Sequence, residues 1–349
     1  MERRKTKIVK VGKIGIGGNN PVSIQSMLNT KNGDINAAIE QSINLKNSGC
    51  DIIRLAVTDE KSIDVVKALK SSIDLPLVAD IQFDYKMALK SIEAGIDKIR
   101  LNPGNIGSND KVKAVVSAAH ERNIPIRIGV NTGSVSNDIA QNYGRFSSDG
   151  LVFEAMRHVE ILEKENFENI VISLKASDVP TMIESYRKMS EMRNYPLHLG
   201  VTEAGTNYSG TVKSAVGIGT LLAEGIGDTI RVSLTDKPEE EIRAAKEILK
   251  ALGLKNEGAK LVSCPTCSRC TVDLISIANE VEKRLNGIDK QIKVAVMGCV
   301  VNGPGEAQDA DIGITGAKGE GLIFKKGEII KRVPENMIVE ELFAEIDKL

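Results

Sequence analysis

The chain has 349 residues, 42% of them hydrophobic, with 46 basic against 47 acidic side chains. That length exceeds one average domain and fits a barrel of about 250 residues plus a smaller module. A net charge of −1, no Trp and 3% aromatic residues exclude a general nucleic-acid binder and a base-stacking surface.

The opening MERRKTK is basic with no apolar run behind it, so it reads as a solvated tail rather than a signal peptide. The glycine-rich GKIGIGG that follows reads as a turn. No stretch approaches the ~20 apolar residues of a membrane helix. Five cysteines without an export signal suggest the reducing cytoplasm, where such clusters are metal sites more often than disulfides. Cys50, far from the others, reads as a small buried hydrophobe.

From residue 20 onward, short apolar runs alternate with longer amphipathic ones. Strands are predicted at 21–27, 51–57, 76–81, 98–103, 125–130, 169–175, 196–203 and 229–235, with helical patterns such as 34–49 and 111–123 between them. Gly or Pro marks many of the joints. Strands alternating with helices imply a parallel sheet, and eight units fit an α/β fold of the (β/α)8 TIM type over residues 1–252. An open doubly wound sheet is the alternative, but no strand is followed by a full G-x-G-x-x-G. Residues 253–259 read as a linker, and 260–349 as a smaller C-terminal α/β domain. In it we predict a strand ending near Ser263, a helix over 272–286 and strands at KVAVMG and ADIGITG. A hairpin over 321–333 and a helix over 335–348 complete it.

A barrel strand buried on both faces should be almost entirely apolar. Several of these are not. Arg54, Asp80, Arg100 with Asn102, Arg127 with Asn131, Lys175, Glu203, and Arg231 with Ser233 fall within or at the ends of seven strands. In a TIM-type barrel that end is the catalytic mouth. A buried ion pair or a loop charge explains any one of them. Together, five cations face two carboxylates, and burying that surplus requires an anion. Guanidinium groups match phosphate oxygens in two-point geometry, so a small substrate carrying more than one phosphate, or a diphosphate, is the expected guest.

In the C-terminal domain, Cys264, Cys267 and Cys270 are spaced C-x2-C-x2-C, and Cys299 follows in MGCVVNGPGE. Thiolates in this pattern hold a soft metal or an iron–sulfur cluster. Structural zinc is the competing reading, although its usual pattern is paired C-x2-C knuckles. Glu306 lies beyond Cys299 across the tight turn NGPG. Spacing alone favours four thiolates, Cys270 included. A cluster that binds substrate needs one replaceable ligand, a role that suits a carboxylate such as Glu306.

RRKTKIVKVG, PVSIQSM, DIIRLAV, PLVADI, LNPGNIG, NIPIRIGVN, AMRHVE, LKASD, PLHLGVTEAG, EGIGDTIRVSL, SCPTCSR and GCVVNGPGEA run nearly end to end. Together they resemble the bacterial 4-hydroxy-3-methylbut-2-enyl diphosphate synthase family, iron–sulfur enzymes of the non-mevalonate isoprenoid pathway. The resemblance implies reductive ring opening and dehydration of 2-C-methyl-D-erythritol 2,4-cyclodiphosphate to the linear allylic diphosphate. It implies a 4Fe–4S cluster on Cys264, Cys267, Cys299 and Glu306, with flavodoxin or ferredoxin as electron donor. It also implies substrate contacts at Arg54, Asp80, Arg100, Asn102, Arg127, Asn131, Lys175, Glu203, Arg231 and Ser233. Of these we take Glu203 as the candidate proton donor for loss of water, structural pairing with Lys175 or an Arg being the alternative. Gln82 stands where many members have His, and Cys270 where many have no cysteine.

Connectivity leads to a further expectation. The last barrel helix delivers a linker of about eight residues to the end away from the mouth, with a reach of ~28 Å at most. A cluster domain so tethered serves the partner's barrel more easily than its own, which implies a head-to-tail homodimer, as the family resemblance also does. The rival functions are a non-redox iron–sulfur hydro-lyase and a four-thiolate electron carrier. His120 and His158 fall in helical segments and His198 in a strand, and all three read as packing residues.

Overall fold

The computed structural model describes the chain apart from residues 1, 256, 257, 287, 289, 301–306 and 318, and apart from the side chains at 103 and 104. The chain forms two compact units, Met1–Lys255 and Asn256–Leu349.

The first unit opens with an antiparallel hairpin, β1 (Val9–Val11) and β2 (Ile14–Ile16). Eight further strands follow: β3 (Ser23–Met27), β4 (Ile52–Ala56), β5 (Leu77–Asp80), β6 (Lys98–Leu101), β7 (Ile126–Asn131), β8 (Ile170–Lys175), β9 (His198–Leu199) and β10 (Thr229–Ile230). All pair in parallel, in the order β8-β7-β6-β5-β4-β3-β10-β9. A parallel bridge between Ile172 and Leu197 joins the two ends of that order. The sheet is therefore a barrel and not an open doubly wound sheet.

Helices separate the strands because local signals start and stop them. Asp34 accepts the Ala37 N–H to begin the helix Ile35–Ser48, and Gly49, at φ 94°, ends it in the left-handed region. Asp59 and Asp178 cap later helices in the same way. Outward residues such as Ile53, Leu55, Ala79, Ile99, Ile128 and Ile172 pack under these helices. Their neighbours along each strand point the other way, into the barrel.

Two expectations need correction. The string at 12–18 is no simple turn, since Ile14–Ile16 forms β2. A β-carbon on Gly17, at φ 89°, would lie 2.2 Å from the Lys7 carbonyl, so the hairpin requires glycine there. Val9, Val11 and Ile16 pack on Ile52, Val78 and Val171, inward residues near the starts of their strands, and stopper that end of the barrel. Nor is the basic start a solvated tail. Arg3 donates to Asp228 Oδ1 at 3.0 Å, and Arg4 donates to the carbonyls of Ser190, Arg193 and Tyr195 at 3.0, 2.7 and 2.6 Å.

β9 and β10 are shorter than predicted. Beyond them scattered links persist, such as Arg231 N–H to Leu199 O at 3.0 Å, Thr202 N–H to Ala176 O at 3.1 Å and Thr235 N–H to Gly205 O at 2.9 Å, without a continuous ladder.

The second unit is a five-stranded sheet of β11 (Lys260–Ser263), β12 (Lys293–Met297), β13 (Ile312–Ala317), β14 (Glu320–Lys325) and β15 (Glu328–Pro334). The first three strands run parallel and the last three antiparallel. Helices Leu274–Leu285 and Ile338–Ile346 share a core with Val294, Val296, Ile312, Ile314 and Ile323. Ala295, Met297, Phe324, Ala307 and Ala310 form a second small cluster, which Cys264 flanks. Among the described residues, no helix is long and apolar enough to cross a membrane.

Candidate active site and cysteine cluster

Strand alternation decides which side chains enter the barrel. Ile53, Leu77, Ile99, Ile126, Leu174 and Ile230 face the helices. Arg54, Asp80, Arg100, Arg127, Lys175 and Arg231 occupy the opposite parity and face inward. Asn131, the last residue of β7, shares that parity, and Asn102 and Ser233 continue it just past β6 and β10. Cross-strand register pairs Asp80 with Arg100 and Arg100 with Arg127, which sets those three at one level.

Asp80 organises this level. Arg54 Nη2 donates to Asp80 Oδ2 at 2.6 Å and Arg100 Nη1 donates to Oδ1 at 3.2 Å. Burial alone would raise the Asp80 carboxyl, but Arg54 and Arg100, with Arg127 farther off, hold it below the usual carboxylate range. Arg100 also donates to the Gly129 carbonyl at 3.0 Å. A β-carbon at Gly129 would lie 2.7 Å from Arg100 Nε, and one at Gly200 would lie 2.8 Å from Lys175 Nζ. The two glycines thus make room for the two cations.

Arg127 is 1% exposed, with Nε and Nη1 unpartnered. Burial, then repulsion from Arg54 and Arg100, pushes its pKa well down. The Lys175 amine is pushed down by burial and by Arg231, Arg127 and Arg54. Asn131 caps a short 3-10 turn with Ser134, Asn102 is buried, and Ser233 is half-buried.

Glu203 lies beyond β9 and is exposed. Its backbone sits at φ 53°, a left-handed conformation uncommon for a non-glycine residue. Among the described residues its carboxylate has no hydrogen-bond or ion-pair partner. Gln82 is exposed on the loop after β5.

Sequence reasoning missed several groups. Glu241, in the first turn of the helix Pro238–Ala251, receives Arg231 Nη2 at 3.3 Å, Ser26 Oγ at 3.1 Å and the Leu234 N–H at 3.1 Å. It is the second carboxylate among the buried cations, a place the sequence reading gave to Glu203. Lys98 is wholly buried and faces inward beneath Arg100. Gln25 and His198 are also buried on inward positions. Their signal was a polar residue of inward parity within a strand, the same signal that revealed the arginines.

In the second unit all the cysteines are free thiols. Gly298 N–H donates to Cys264 Sγ at 3.2 Å. Cys270 Sγ donates to the Val272 carbonyl at 3.2 Å, and a β-carbon on Gly298 would lie 2.8 Å from that sulfur. Cys264 and Cys270 therefore both lie against Gly298, the residue before Cys299. Cys267 is exposed, and its thiol is lowered by the Arg269 N–H and side chain. Among the described residues no three His, Cys, Asp or Glu side chains stand close enough to hold a metal ion, and Glu306 lies outside those residues. Free thiols, an N–H directed at sulfur and a surround as small as Gly298, Ala307 and Ala310 suit a soft metal or an iron–sulfur group.

Residues 6–246 match the model of the GcpE TIM-barrel domain, and residues 260–348 match that of the GcpE protein C-terminal domain. The chain belongs to the GcpE family. Among GcpE relatives, it is 60% identical over 349 residues to a 4-hydroxy-3-methylbut-2-en-1-yl diphosphate synthase (flavodoxin) of Clostridium perfringens, covering 100% of both chains. It is 57% identical to the enzyme so named of Clostridium acetobutylicum, again over 100% of both. Among solved structures, a Yersinia pestis dihydropteroate synthase shares the fold with a TM-score of 0.50 and 15% identity, over 70% of this chain and 98% of that one. At that identity the likeness concerns the fold alone. The GcpE boundaries and the two compact units agree that one domain ends and the next begins between residues 246 and 260.

Proposed function

We propose that this chain catalyses the reductive ring opening and dehydration of 2-C-methyl-D-erythritol 2,4-cyclodiphosphate to 4-hydroxy-3-methylbut-2-enyl diphosphate, with flavodoxin as electron donor. The reaction takes up two electrons and two protons, breaks a carbon–oxygen bond of the cyclic diphosphate and releases one water. The observation that carries the reading is the inward cluster of Arg54, Arg100, Arg127, Lys175 and Arg231, for which Asp80 and Glu241 are the nearby buried carboxylates. Such a surplus is stable only when an anion shares the space.

Each residue then has a task. Asp80 fixes the guanidinium planes of Arg54 and Arg100, and Glu241 fixes that of Arg231, so the pocket is ordered before substrate arrives. Arg127 and Lys175 receive phosphate oxygens and offset charge on the leaving oxygen. Asn102, Asn131 and Ser233 orient the sugar-derived chain. Glu203, exposed and unpaired, is free to deliver the proton that accompanies loss of water. Cys264, Cys267, Cys299 and Glu306 would hold a 4Fe–4S cluster, which when bound supplies electrons and a Lewis-acidic iron. Cys270 is then a neighbour of the cluster rather than a ligand. Easily oxidised thiols and a flavodoxin donor suit the cytoplasm. The short linker favours a head-to-tail homodimer, in which the cluster domain of one copy serves the barrel of the other.

Anaerobic protein with counted iron and sulfide tests the reading. About four of each per chain and a spectrum that changes on adding the cyclic diphosphate are expected. A fully thiolate-ligated centre indifferent to that compound would sink the proposal. Glu203→Gln should lower kcat by about 10²–10⁴-fold with binding retained; near-normal turnover removes it as the acid.

A further inference from the structure

Lys98 lies one inward layer beneath the anion pocket. Val78 pairs with Lys98, while Asp80 pairs with Arg100 two residues farther along each strand. The Lys98 side chain is 0% exposed and its Nζ has no hydrogen-bond partner. Other inward polar atoms are in the same position: both amide atoms of Gln25, both ring nitrogens of His198, Thr229 Oγ1, and Nε and Nη1 of Arg127. This polar layer lies between the hairpin stopper below and the cations above. Buried polar atoms without protein partners call for water or a ligand.

Among the described residues no carboxylate is hydrogen-bonded to Lys98. Asp80 is committed to Arg54 and Arg100, and Glu241 to Arg231, Ser26 and the Leu234 N–H. The charged groups acting on Lys98 are Arg127 from β7 and Arg54 from β4. His198 from β9, itself kept neutral by burial and by Arg127, Lys175, Lys98 and Arg54, shares the space. β3 contributes uncharged Gln25, and the hairpin offers Val9, Val11 and Ile16. Burial and the two arginines push the Lys98 amine well below its ordinary range. With Nζ fully buried and no carboxylate beside it, the uncharged amine is the favoured form until an anion is near.

We propose that Lys98 is a further binding determinant of the anion site: a diphosphate seated above it at Arg127 draws a solvent proton onto its amine, so that substrate binding and proton uptake are linked. This rests on the diphosphate reading of the mouth. The phosphate oxygens of the cyclic substrate are already ionised at neutral pH, so a proton taken up on binding belongs to the protein.

Calorimetric titration of the full-length, cluster-loaded enzyme, without reductant, tests the inference. Cyclic diphosphate is titrated near pH 8 in two buffers of different ionisation enthalpy, which gives the number of protons taken up. Lys98→Met should take up about one proton fewer per site than wild type and bind roughly tenfold more weakly. Lys98→Gln, a second variant, should show the same proton deficit. Equal uptake in wild type and both variants overturns the inference.

Thermal melting without ligand provides a second readout. Unfolded Lys98 binds a proton that the folded form does not, so wild-type stability rises with pH up to ~10.4. Lys98→Met should melt above wild type near neutral pH, with an advantage that shrinks as pH rises; a constant difference counts against the inference. Inorganic diphosphate is titrated in parallel. If it alone binds, with Lys98-dependent uptake, the substrate assignment fails and the Lys98 inference stands. If neither compound binds, both fail.

Discussion

Glu154 ties the loop that follows Asn131 to the barrel wall. It accepts the Ser136 N–H at 2.9 Å and the Ser136 hydroxyl at 2.6 Å, while Arg157 Nη2 and His158 Nε2 lie 3.0 and 2.9 Å from its other oxygen. Burial would raise this carboxyl, but His158 and Ser136 bring it down to about 2. A depressed carboxyl contributes stability above its unfolded pKa and loses it as pH falls through the folded one. Glu154→Gln should therefore lower unfolding free energy by about 1–3 kcal/mol at neutral pH. Denaturant titrations should show the gap narrowing as pH falls from ~4.5 towards about 2. The arginines of the mouth were legible in the sequence because they break an apolar run at inward parity. Glu241 was not, because Glu239, Glu240 and Glu241 all sit in a first helical turn, where acidic residues are favoured anyway. Lys98 opens its strand and reads as a flanking charge until the register shows it inside the barrel.

The eight barrel strands were visible as elements because each run of apolar residues ends at a Gly, Pro or capping residue. Their lengths were less visible at β9 and β10, where the apolar pattern continues but the ladder does not. The hairpin of β1 and β2 escaped notice because three-residue strands around glycines are too short to display a period. Its value lies in packing. Ile16 is fully buried against the inward starts of three barrel strands. Ile16→Ala should cost about 2–5 kcal/mol, measured by urea unfolding of the barrel. A loss within ~0.5 kcal/mol would show that the hairpin is an ornament rather than part of the core.

At the scale of the whole molecule, the division of labour between domains was readable from placement, since the cations set within apolar strands, Arg54, Arg100, Arg127, Lys175 and Arg231, fall in the first 252 residues and four of the five cysteines in the rest. How subunits share the work is a separate question, and complementation answers it. Arg127→Met in one chain and Cys299→Ser in another should each be inactive alone. Mixed and allowed to exchange subunits, they should recover up to about a quarter of wild-type turnover per chain if each cluster domain serves the other copy's barrel. No recovery, with exchange verified by mass, would confine each reaction to a single chain.

The hairpin beneath the barrel also governs traffic. With Val9, Val11 and Ile16 wedged into one end, the barrel is a cul-de-sac. A diphosphate bound at the arginines would then leave by the doorway it entered, and a spent one would obstruct the next arrival until it backed out.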